Sequence, residues 1–184
     1  MKIEVTRVTD WQRVVDAARL TAHKAPLGHE PSEEFKRTML RAEHSPIRLL
    51  EFDIRIYGVP YFVVMHLVRH NQGIEKFVAT SREDKTGVPR DDRKQTDLVD
   101  CQFSVNAQAL INISRKRLCC RADKKTREVW LDVVHKVSEV DKEVGHSCVP
   151  ECIYRGFCPE GDKSCGMSKT DTWTYFVEGY RNGE

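Results

Sequence analysis

Three groups of residues in this chain have types and spacings that could do chemistry. The first is a run of cysteines. Of seven in total, four crowd into the last fifth as Cys148-x3-Cys152-x5-Cys158-x6-Cys165, in Gly- and Pro-rich sequence. Four thiolates can close a tetrahedral zinc site or carry an iron–sulfur cluster; four free thiols in a loop are the plain alternative. Adjacent Cys119 and Cys120 have no role that spacing assigns. The second group is basic: Arg69 and His70 end an apolar stretch, and Lys76 and Arg82 follow. Guanidinium forks bind phosphate bidentately, so this group suits an anion. The plain alternative is that Arg69 and His70 only complement a helix C-terminus.

The third group is the segment NAQALINISRKRL, residues 106–118. Asn106, Leu110, Ile113 and Arg117 follow a 4-3-4 spacing and share one helical face, with Asn112 on its flank. Asparagine is a poor helix former, so two in one helix point either to ligand hydrogen bonds or to a core helix with polar ends. His66 precedes His70 by one helical turn, a spacing that can ligate metal. The intervening residues (HLVRH) lack the glutamate of the zinc-protease pattern, which favours a packed or substrate-facing ring. The basic run RKRLCCRADKK, residues 115–125, has no interleaved aromatics and is broken by a helix junction. It reads as a solvated face or phosphate site rather than a nucleic-acid surface.

These side chains need elements to hold them. Alternation over residues 1–9 predicts an opening strand, and Asp10 caps a helix from Trp11 to Ala22. Ser32 caps a second helix ending at Arg41, and His44-Ser45-Pro46 is a turn. Residues 49–57 form a half-buried strand with Phe52, Ile54 and Ile56 inward. Pro60 starts a helix that carries Tyr61 to His70. Residues 71–100 are expected to be a long polar loop. Ser104 is expected to cap a helix over 105–119. A further helix over 124–144 carries a stripe of Val129, Val133, Val137, Val140 and Val144 and ends at Gly145. The tail TDTWTYFVEGY is expected to be a strand or a docked extended segment.

At 184 residues, 40% of them hydrophobic, the chain can bury a core as one domain or one domain with an appendage. The change in composition divides it into 1–145 and a Cys-rich 146–184. The longest apolar stretch, Val59 to Val68, contains a Pro and a His and falls short of the roughly 20 residues that span a bilayer. The N-terminus has no apolar signal-peptide core, so a cytoplasmic protein with reduced thiols is expected. A net charge of +2 gives no bulk argument for nucleic acid or membrane.

Taken in order, the blocks EHSPIRLLEFDIRIYGVPYFVVMHLVRH, FVATSR and NAQALINISRKRL, over roughly residues 40–130, resemble the flavin-dependent thymidylate synthases (ThyX). The resemblance implies an α/β fold, a central, mostly antiparallel sheet with flanking helices. It implies a homotetramer with FAD between subunits, and reductive methylation of dUMP with methylenetetrahydrofolate as carbon donor and NADPH as reductant. By the same resemblance Ser45, Arg69, His70, Asn106 and Asn112 meet the flavin. Arg69, Ser81, Arg82 and Arg117 meet the nucleotide, joined by His66 on its own substrate-facing reading, and Arg117 and His70 are the catalytic pair. The chain departs from the family at Asn71, the third position of its Arg-His-Arg triplet, at Gln108 where an Arg is usual, and at Arg48 where a Glu is usual. These positions surround the pyrimidine and folate, which leaves dCMP or another pyrimidine nucleotide open as acceptor. A metal-stabilised nucleic-acid-binding module, built on the basic run and the cysteine tail, is the competing reading from outside the enzyme class.

Overall fold

The structure is a computed structural model that describes residues 1–182. Four strands form one sheet, β1 (Lys2–Arg7), β2 (Glu51–Pro60), β3 (Ile74–Val78) and β4 (Leu98–Asn106), in the order β1-β2-β4-β3. Every pairing is antiparallel, and β2 and β4 align Phe52 with Val105 and Ile54 with Phe103. Period-two alternation puts Phe52, Ile54, Ile56, Cys101, Phe103 and Val105 into the core, all at most 7% exposed. Helices α1 (Trp11–Thr21), α5 (Ala107–Arg117) and α6 (Lys124–Val140) supply Trp11, Leu110, Ile113, Val129, Trp130 and Val133 to the same core. The expected α/β fold with an antiparallel sheet and flanking helices is therefore present.

The caps read from the sequence at Asp10 and Ser32 are in place: their side chains accept from the backbone of Arg13 and Phe35, starting α1 and α2 (Glu33–Arg41). His44-Ser45-Pro46 leads into a 3₁₀ turn over Ser45–Leu49. Helix α3 (Tyr61–Leu67) stops before His70, shorter than expected.

Five expectations are corrected. The stretch 71–100 is not one loop: it contains β3, the short α4 (Glu83–Thr86) and the start of β4. Val99, Cys101, Phe103 and Val105 alternate inward, and pairing on both sides satisfies their backbone. Ser104 consequently lies inside β4, and Asn106 is the cap of α5. The helix expected to reach residue 144 stops at Val140. Asp141 takes an extended conformation (φ −154°) and caps α7 (Lys142–Ser147), while its other oxygen accepts from the Trp11 indole (2.8 Å) and from Arg7 (3.0 Å). Gly145 lies within α7 rather than ending a helix. A Cβ there would stand 2.7 Å from the Ser138 Cα, so its missing side chain lets α7 fold back on α6. Finally, the tail is helical: after α8 (Glu151–Arg155), α9 (Asp171–Asn182) buries Val177 and stacks Tyr180 on His146.

Candidate active site

Helix α5 carries the candidate chemistry at both ends. Its eleven residues separate the ends by about 16 Å at 1.5 Å per residue. At the N-terminal end, the Asn106 Oδ1 accepts from the Ala109 amide (2.9 Å), capping the helix. The Asn106 amide donates to the Gly73 carbonyl (2.9 Å), which ties the cap to the turn before β3. Gly73 holds φ +69°, and a Cβ there would stand 2.5 Å from the Asn106 side chain, so this turn requires glycine. Around these residues lies a cleft of about 520 Å³ lined by Glu43, Arg48, Gln72, Gly73, Asn106, Gln108 and Asn112, among others. Four of these are carboxamides, which offer donors and acceptors in a flat group without net charge.

Glu43 organises the cleft wall. Its carboxylate accepts from Gln108 (2.5 Å) and pairs with Arg115, whose Nη1 also reaches the Asn112 Oδ1 (3.2 Å). The Arg115 guanidinium stacks on the Tyr154 ring at 3.5 Å, so α8 from the Cys-rich segment braces the same wall. Burial alone would raise the Glu43 carboxyl; hydrogen bonds from Arg115, Gln108 and Tyr154 outweigh it and hold the group below the usual carboxylate range. Glu43 itself adopts φ +50°, a left-handed conformation rare for a side chain of this kind.

At the C-terminal end, Arg117 donates from Nε to His70 Nε2 (3.0 Å) and from Nη2 to the His66 carbonyl (2.6 Å). That uses two of its five N–H donors. Burial, with the Arg69 guanidinium nearby, lowers the Arg117 pKa from its ordinary value. His70 is pushed down to about 4 by burial, with Arg117 and Lys76 adding to the effect. It is therefore neutral at pH 7, with Nε2 as the acceptor that Arg117 needs. Lys76 spans the turn below, donating to the carbonyls of Val68 (3.1 Å) and His70 (2.9 Å) and to the Asn71 side chain. The His66 ring turns the other way, to Thr126 of α6 (2.8 Å), so its carbonyl rather than its ring meets Arg117.

The structure thus gathers Asn106 with Asn112, and Arg117 with His70, His66 and Arg69. Other residues stand apart within one chain. Ser45 is exposed at the start of the 3₁₀ turn. Ser81 and Arg82 are exposed beyond β3, where the Arg82 fork is engaged by Asp84 through two 2.8 Å contacts. The four tail cysteines divide. Cys148 is buried in the core, its thiol pushed up to about 12 by burial and lying beside Ser114. Cys152, Cys158 and Cys165 instead line a separate cavity of about 200 Å³ together with Cys119 and Cys120. The cysteines are free thiols, and no group of three or more His, Cys, Asp or Glu that could hold a metal ion occurs among the described residues. Sequence reading passed over Glu43 and Gln72. Nothing marks Gln72 in sequence, but an acidic residue just before His-Ser-Pro and four residues beyond Met39 was a signal available for Glu43.

No family model matches the chain. A flavin-dependent thymidylate synthase from Clostridium tetani is 36% identical over 66 residues, which are 36% of this chain and 26% of that protein. The match therefore spans about a quarter of the curated relative's length. Among solved structures, a flavin-dependent thymidylate synthase from Helicobacter pylori, complexed with FAD and dUMP, superposes with a TM-score of 0.67 over 81% of this chain and 100% of that one, at 12% identity. A UMP/dUMP methylase from Streptomyces cacaoi bound with 5-Br dUMP gives 0.62 over 85% and 96%, at 13% identity. The chain has the fold of these proteins, and the resemblance read from its sequence is borne out in fold and along one stretch of sequence. No helix among the described residues is long and apolar enough to cross a membrane.

Proposed function

We propose that this chain, with the fold of the flavin-dependent thymidylate synthases and part of their sequence, is a divergent flavoenzyme that transfers a one-carbon unit to C5 of a pyrimidine nucleotide. The reaction proposed is reductive methylation of dUMP, with FAD resident, methylenetetrahydrofolate as carbon donor and NADPH as reductant, in a cytoplasmic homotetramer. The observation that carries this reading is Arg117: a half-buried guanidinium fixed by the neutral His70 and the His66 carbonyl, with Arg69 beside it. Such a group presents directed donors to a pyrimidine carbonyl or a phosphate without further ordering.

The carboxamide cleft fits a flavin by the chemistry of its donors. Gln72, Asn106, Gln108 and Asn112 match a flat heterocycle edge that alternates carbonyl oxygens and ring nitrogens. These residues and Arg48 would hold the flavin, with Ser45 and Arg69 toward its phosphates. When bound, FAD supplies the redox chemistry of the reaction. The chain's own residues bind and orient: Arg117 holds the pyrimidine, and uncharged His70 fixes the Arg117 plane without competing for the anion. Asn106 and Arg117 lie at opposite ends of α5, and Ser81 and Arg82 lie out beyond β3. That separation supports a site completed between copies of the chain. Exposed Phe77 and Val78 on β3 and Leu98 on β4 give the same region an apolar surface for such a contact.

The methylase neighbour's name favours a second acceptor, UMP. Flavin-loaded protein incubated with methylenetetrahydrofolate, NADPH and either dUMP, UMP or dCMP decides the matter when the nucleotide products are weighed. A mass gain of one CH2 unit on dUMP is expected, hydrogen at C5 having been replaced by methyl. Gain on UMP or dCMP alone would move the acceptor, and gain on none by a protein that retains its flavin would overturn the reaction.

A further inference from the structure

We propose that Cys119, Cys120, Cys152, Cys158 and Cys165 form a polythiolate site that holds an iron–sulfur cluster on four of its five sulfurs. The five residues come from three separate stretches: the junction after α5, helix α8, and the segment between α8 and α9. The fold brings them around one cavity of about 200 Å³. The Cys120 Sγ lies 3.7 Å from the Met167 Sδ, with the Cys165 thiol nearby. Cys101 and Cys148, the two remaining cysteines, are buried in the hydrophobic core.

Geometry favours a cluster over a single ion. Zinc needs four sulfurs at about 2.3 Å from one point, and no such set of donors exists among the described residues. The thiols instead surround a space. A cluster brings its own sulfides into such a space and reaches outward to thiolates spaced more widely than around one ion. The surroundings fit the charge. Four thiolates outweigh the positive core of a cluster, and the cavity's Arg115, Lys116, Arg117 and Arg121 outnumber its Glu151 and Glu160. The buried Trp173 Nε1 has no hydrogen-bond partner and lies beside the Cys152 thiol. An indole N–H so placed is a donor for a cluster-bound sulfur, one of the levers that set cluster potential. Each thiol that binds iron releases its proton to solvent as the iron–sulfur bond forms.

The full chain, purified without oxygen, is incubated with equal ferrous and ferric iron and with sulfide, then desalted. Iron and acid-labile sulfide should remain bound in equal amounts, about two to four of each per chain for the thiolate-held cluster types. The double variants C152S/C165S and C119S/C120S, which each leave only three of the five sulfurs, should lose most of the iron, whereas Cys148→Ser should keep it. Circular dichroism identifies any variant that has simply unfolded, and the wild-type metal content decides the proposal even then. Fewer than about 0.2 irons per chain against the whole cluster expected, zinc without sulfide, or full iron retention in folded C152S/C165S and C119S/C120S would each overturn it. Flavin content and dUMP affinity measured on the same samples keep this result separate from the enzymatic reading, since either can fail while the other holds.

Discussion

The two ends of α5 hold their candidate side chains by different means. At the N-terminal end Asn106 is fixed by its own helix and by the Gly73 carbonyl, and it shares the cleft with the neutral amides Gln72, Gln108 and Asn112 beside the charged Glu43 and Arg48. At the C-terminal end Arg117 is fixed by a side chain and a carbonyl some fifty residues away in sequence, among other cations and thiols. Neutral amides can be half-buried once their hydrogen bonds are made, so local backbone suffices to position them. A charged group loses solvation on burial and needs partners that only the assembled fold supplies. The first end is therefore a local motif and the second a tertiary one.

Breaking the tertiary end should have the largest effect. Arg117→Ala should weaken dUMP binding about 100-fold, the equivalent of two charge-assisted hydrogen bonds, while most of the flavin stays bound. Calorimetry with dUMP and flavin release on the same protein measure both, and unchanged dUMP affinity would remove Arg117 from the nucleotide site. Gly73→Ala tests the opposite end. Its Cβ would take the space of the Asn106 side chain, at 2.5 Å, on a backbone with φ +69°. We expect FAD binding to fall about 10-fold, a 1.4 kcal/mol effect, with dUMP affinity little changed; parallel loss of both would merge the two ends into one site.

A smaller effect separates helix capping from ligand contact. Asn106→Ala should cost about 1 kcal/mol of stability through the lost cap. Asn106→Asp, which keeps a capping oxygen but loses the amide donors, should restore the melting temperature and leave flavin binding impaired. Recovery of both by the aspartate would make Asn106 a cap alone. The smallest effect is the pH response of His70. Its pKa falls from 6.5 in the unfolded chain to about 4 in the fold, so between those values the unfolded state binds the extra proton. Stability from the neutral ring is complete above about pH 6.5 and drains away as pH falls toward 4. Glu43, with its lowered carboxyl, contributes stability that is likewise lost on acidification, as pH falls below its ordinary value of 4.5. Urea midpoints for the wild type and His70→Gln should converge as pH drops from 7 to 4.5. A constant gap between them would refute the buried neutral ring.

Much of the local structure was legible because it rests on short-range rules. Asp10 and Ser32 cap their helices, and Phe52, Ile54 and Ile56 face inward on alternation alone. β4 was missed although Val99, Cys101, Phe103 and Val105 alternate. Its polar outward residues, Asp100, Gln102 and Ser104, resemble loop sequence until pairing on both sides is known. The helix predicted through residue 144 breaks at Asp141 because that carboxylate answers the Trp11 indole and Arg7, which no local pattern announces. Asn106 and Asn112 were identified as a pair from helix spacing. Their partner Glu43 depends on a contact across 65 residues to Gln108.

By itself the sequence determined which residue types could act here: amides and arginines in one helix, a basic pair at the end of another, and an excess of cysteines. Periodicity and capping, which operate over a few residues, were enough to place most of the elements that carry them. Tertiary structure alone decided the groupings. It set Arg117 on His70, turned the His66 ring toward α6, sent Cys148 into the core and drew Cys119 and Cys120 to the tail cysteines. The reason is physical: burial and charge compensation depend on what lies nearby in space, and spacing along the chain does not encode neighbours forty or more residues away.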